Sequence, residues 1–129
     1  MTQQPHNNPI LDVLDSATDF RRMQQALEGG KGPVAAFGVA ANAKAHLICA
    51  LARTRQVLFV TATDTAATQL FEGARLFGAQ SELFLPRETP LVYVHAASGE
   101  QRCERISTLS ALSAGERCGV SASAAALMQ

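Results

Sequence analysis

Apolar residues recur along this chain in two periods, and the switches between them mark out its elements. Phe20, Met23 and Leu27 fall three and four apart, the spacing of one helix face, and Ile10 to Leu14 supplies a shorter helical stretch before them. Ser16, followed three residues later by Asp19, is the expected start of the longer helix. Gly29-Gly30 and Gly32-Pro33 end that helix and turn the chain. Short apolar runs then alternate with helical spacing. Pro33–Phe37, Gln56–Thr61 and Ser81–Leu85 read as buried parallel strands, rich in β-branched or aromatic residues. Between the first two, Ala43–Arg53 carries Leu47, Ile48 and Leu51 at helical spacing. Asp64 is placed to cap a helix through Leu76, with Leu70, Phe71 and Ala74 turned inward. Pro86 to Ala97 reads as an irregular connection. Ser98 then opens a helix with Ile106, Leu109 and Leu112 on one side, and Gly115 closes it. Gly119–Ser123 is the expected fourth strand, and Ala124–Met128 begins a helix that reads as cut short. Strand–helix alternation with tight turns predicts an α/β fold of about four parallel strands flanked by helices. Residues 1–8 read as a frayed tail and 9–129 as one domain.

Composition narrows this picture. At 129 residues the chain can bury a core without disulfides or a structural metal. Hydrophobic content is 47% with no Trp and one Tyr, so the core is expected to be Ala, Leu, Val and Phe. Eleven basic and eleven acidic residues cancel, which leaves no global electrostatic footprint for nucleic acid or a membrane surface. Cys49, Cys103 and Cys118 are odd in number and have no C-x-x-C spacing, which argues against a disulfide frame or metal centre. They read as thiols of a reducing cytoplasm. No apolar run approaches the roughly 18 residues of a membrane span.

The chemistry worth weighing sits between Val34 and Ala45. An apolar run enters Gly38, and Lys44 follows six residues later at the head of a helix, the layout of the phosphate loop G-x-x-x-x-G-K-[ST]. Ala43 stands at the second glycine, and Ala45 at the hydroxyl that would hold Mg²⁺. A working loop needs backbone N–H groups curled around phosphates, a residue free in its backbone angles and a Ser/Thr oxygen on the metal. Two of those fixed positions are gone. The expectation is a P-loop NTPase-like (RecA-like) fold with a degenerate nucleotide site, in which Gly38 and Lys44 mark an inactive phosphate loop. No catalytic residue, cofactor or metal is assigned to the segment itself.

A family resemblance enters with two later segments. Phe84-Leu85-Pro86-Arg87-Glu88-Thr89-Pro90-Leu91-Val92-Tyr93 and the run from Ser98 through Glu100, Arg102 and Arg105 to Leu109 resemble the N-terminal region of the bacterial transcription-repair coupling factor. There a strand leads into an F-P-x-R/W-E-x-x-x-Y element, and a helix that begins with Ser follows. Gly119 to Leu127 is similar to the V-V-x-A-S-x-x-A-L strand of that family. The resemblance spans roughly residues 10–129. It implies the first subdomain of a UvrB-like module that has lost its ATP site, within transcription-coupled nucleotide excision repair. The full-length family is an ATP-dependent DNA translocase that displaces stalled RNA polymerase and recruits UvrA. The ATP and Mg²⁺ of its motor, and its contacts with UvrA, polymerase and DNA, would lie beyond Gln129. Ala41-Asn42-Ala43 departs even from a residual phosphate contact.

The remaining candidates are weighed on their own residues. Arg87 and Glu88 follow a strand end, the ligand edge of parallel sheets; they read as partner contacts or as an ion pair fixing the loop. Tyr93 could stack on a base, although a lone loop Tyr more commonly packs its ring and bonds its hydroxyl. Arg102 and Arg105 share a helix face, a small basic strip for an acidic partner or simply a solvated surface. His6, His46 and His95 have no ligand spacing, and Ser98 near His95 lacks the strand–turn–helix elbow of a serine hydrolase. Two alternatives to the scaffold stay open. One is a small nucleotide-binding enzyme using Lys44 with Asp64 as its strand-end acid; the other is a regulatory protein that binds a repair subunit through residues 86–97.

Overall fold

The computed structural model describes residues 8–86 and 98–129. It begins with two helices, α1 (Pro9–Ser16) and α2 (Thr18–Glu28). Asn8 caps α1, its side chain accepting from the Ile10 N–H at 3.1 Å, and Pro9 occupies the first turn, where its missing N–H costs nothing. The helix boundary differs from the capping-box expectation. Ser16 donates its hydroxyl to the Val13 carbonyl at 2.6 Å and so closes α1, while α2 starts after Ala17 with no side-chain cap.

Helix α3 (Ala41–Ala52) leads to β1 (Val57–Thr61), then α4 (Asp64–Leu76), β2 (Ser81–Phe84), α5 (Ser98–Ser113), β3 (Gly119–Ser123) and the single turn α6 (Ala124–Leu127). Thr63, not Asp64, caps α4 by accepting from the Ala66 N–H at 3.2 Å. Asp64 sits in the first turn, where its charge favours the positive end of the helix dipole. The three strands form one parallel sheet in the order β1-β3-β2, with Val57 and Ser81 both in register with Gly119.

Small residues explain why β3 is central. Gly119-Val120-Ser121-Ala122-Ser123 is buried along its whole length, and only short side chains let helices approach both faces. On one face a Cβ at Gly119 would come within 3.2 Å of Ile48 and 3.7 Å of Ala52, so α3 lies directly on the strand. On the other, Val120 and Ala122 cluster with Phe84, Cys118 and Ala126, and Leu112 of α5 packs against them. Register partners in a parallel pair share a face, so Leu58 and Val60 lie on this α5 side, beside Val120 and Ala122. They remain 53% and 54% exposed because α5 covers β2 and leaves the β1 side open. Helices α1 and α2 close the α3 side, with Leu11 buried against Cys49 and Ala74, and Phe20 against Ala50 and Leu51.

Two further sequence expectations are corrected. Pro33–Phe37 is not a strand: the stretch is exposed and lies outside any helix or strand, and Phe37 is 93% exposed. A strand needs a neighbour, and among the described residues none pairs with this one; its two alanines also bury little that could drive docking. The sheet therefore shows three strands, one fewer than expected. The apolar side of α5 also differs. Thr108 is buried and Arg105, Ala111 and Leu112 half-buried, whereas Ile106 and Leu109 face outward. Among the described residues no helix is long and apolar enough to cross a membrane.

Candidate functional site

The loop between Gly38 and the helix that carries Lys44 is short. Gly38 has φ +74°, a left-handed angle that favours glycine, and a Cβ there would meet nothing within 4 Å. Its glycine thus serves the turn and not a close approach by a neighbour. Helix α3 begins at Ala41, three residues beyond Gly38. The N–H groups of Ala43 and Lys44 donate to the Ala40 carbonyl at 3.0 and 3.2 Å. Those amides are committed to the helix, so they do not curl around a ligand. The methyl side chain of Ala40 offers the first turn no acceptor of its own.

Lys44 is exposed, and it lines the wall of a groove of about 910 Å³ between the start of α3, the end of β1 and α4. Phe59, Leu70 and Phe77 make that groove largely apolar; Asn42, Thr61 and Gln69 add polar groups to it. Ala45, the position of the missing hydroxyl, is buried, and a Cβ built on Gly73 of α4 would lie 2.8 Å from its methyl. Position 45 therefore serves helix packing. Asp64 is exposed in the first turn of α4.

The other predicted residues are not gathered around this loop. Arg105 belongs to α5, where its guanidinium stacks 3.9 Å above the Phe84 ring and donates to the Leu85 carbonyl. It ties α5 to the end of β2, while Arg102 on the same helix is exposed. Arg87, Glu88, Tyr93 and His95 lie outside the described residues, as does His6. His46 donates through Nε2 to the Ile10 carbonyl at 2.7 Å and stacks on Phe77 with ring centres 4.9 Å apart. It joins α1, α3 and the end of α4.

The cysteines differ sharply in environment. Cys49 is fully buried and donates to the Ala74 carbonyl at 3.5 Å; burial pushes its thiol up to about 11, opposed in part by a hydrogen bond from its own backbone. Burial also raises Cys118, and the charges of Glu82 and Glu116 add to the effect. Cys103 is exposed. Among the described residues no group of three His, Cys, Asp or Glu side chains could hold a metal ion.

Sequence reasoning missed the tether of α1. Arg53 reaches Asp12 at 3.0 Å and Asp15 at 3.3 Å, and the Asn8 side chain donates to the Phe77 carbonyl at 2.7 Å. The spacing of Asp12 and Asp15 on one helix face was the available signal. Compared with protein-family models, with curated proteins and with solved structures, the chain matches none.

Proposed function

We propose that this chain is a non-catalytic α/β scaffold, the first subdomain of a UvrB-like module of the kind found in transcription-repair coupling factor, acting in transcription-coupled nucleotide excision repair. The observation that carries the nucleotide-free part of this reading is the loop backbone. The amides of Ala43 and Lys44 are taken up by Ala40 in the first turn of α3, and Ala45 is packed toward Gly73. The repair role rests on the residue resemblance. In this reading neighbouring subdomains of a longer protein cover the open side of β1, including Leu58 and Val60, and UvrA, RNA polymerase and DNA are engaged by other regions. The setting is cytoplasmic.

A second reading, a nucleotide-binding enzyme, draws on Lys44 facing the groove at the end of β1. Thermal melts with and without millimolar Mg-ATP separate the two, because a ligand that binds only the folded state raises the midpoint. The scaffold reading expects a cooperative melt with no ATP-dependent shift. A clear shift that disappears in Lys44→Ala would overturn it in favour of the enzyme.

A further inference from the structure

We draw no further inference here: the strongest candidate, the open outer edge of β1 with Leu58 and Val60 beside it, belongs to the scaffold reading already proposed, and nothing in the structure shows what else covers it.

Discussion

Three thiols on one chain meet three surroundings, and their chemistry should separate accordingly. A thiolate is the reactive form, so a buried cysteine with a raised pKa is protected both by access and by protonation. In native protein, one thiol, Cys103, is expected to react rapidly with a disulfide reagent, and Cys49 and Cys118 only after unfolding. The same burial makes stability depend on pH. An unfolded thiol ionises near 9.0 and folded Cys49 near about 11, so the folded state holds its proton more tightly. Its contribution is complete below pH 9 and is lost as pH rises toward 11, by roughly 2–3 kcal/mol at 1.36 kcal/mol per unit. Urea melts from pH 7 to 11 should show that decline, with a weaker one in Cys49→Ala. Flat stability, or three thiols reacting together in the native state, would contradict the burial of these side chains.

Helix contacts set the next scale, where two kinds of attachment can be ranked. Gly73 lets α4 approach α3 at Ala45. In an open helix, Gly→Ala gains about 0.5–1 kcal/mol. Here the new methyl would meet Ala45 at 2.8 Å and push the helices apart, a misfit of about 1–3 kcal/mol. Gly73→Ala should therefore lower the urea midpoint; a rise would mean that the two helices separate freely. For α1, Leu11→Ala removes a buried side chain and should cost about 2–5 kcal/mol. Arg53→Ala breaks half-exposed ion pairs worth less than about 1 kcal/mol. Equal losses in the two variants would show that the ion pairs hold α1 as strongly as its core contact does. Periodicity places β3 and the end of α4 at their observed positions, while α4 starts one residue earlier than an Asp64 cap implies because Thr63 supplies the cap. It misplaces Pro33–Phe37 because local pattern carries no information about whether a neighbouring strand is present. It reads Ile106 and Leu109 as inward because an isolated helix does not reveal that Arg105 stacks on Phe84. That the G-x-x-x-x-G-K-[ST] pattern lacks its second glycine and its hydroxyl is legible in Ala43 and Ala45 themselves; the contact between Ala45 and Gly73, 28 positions apart, is not.

At the scale of the whole molecule, the sheet is closed on one side and open on the other. Natural edge strands are commonly blunted by charge, proline or a bulge. Val57-Leu58-Phe59-Val60-Thr61 has no charged residue and no proline, and no strand among the described residues pairs with its outer edge. The Val57 N–H bonds inward to the Cys118 carbonyl at 3.0 Å, so by alternation the backbone groups of Leu58 and Val60 point outward. Their side chains add half-exposed apolar surface, and a formal net charge of zero provides no overall repulsion between copies. The chain on its own should consequently self-associate as its concentration rises. Val60→Lys places a charge at that edge and should keep the protein monomeric, while changing unfolding stability by no more than about 0.5 kcal/mol, as at other surface sites. Sedimentation velocity across a concentration series, paired with urea melts of both proteins, tests the two statements separately. Suppressed association at unchanged stability would assign the sticky surface to β1. A wild-type chain that stays monomeric throughout would show that the open edge is inert, and a variant that associates as before would locate the contact elsewhere, with the exposed Phe37 segment the next place to substitute.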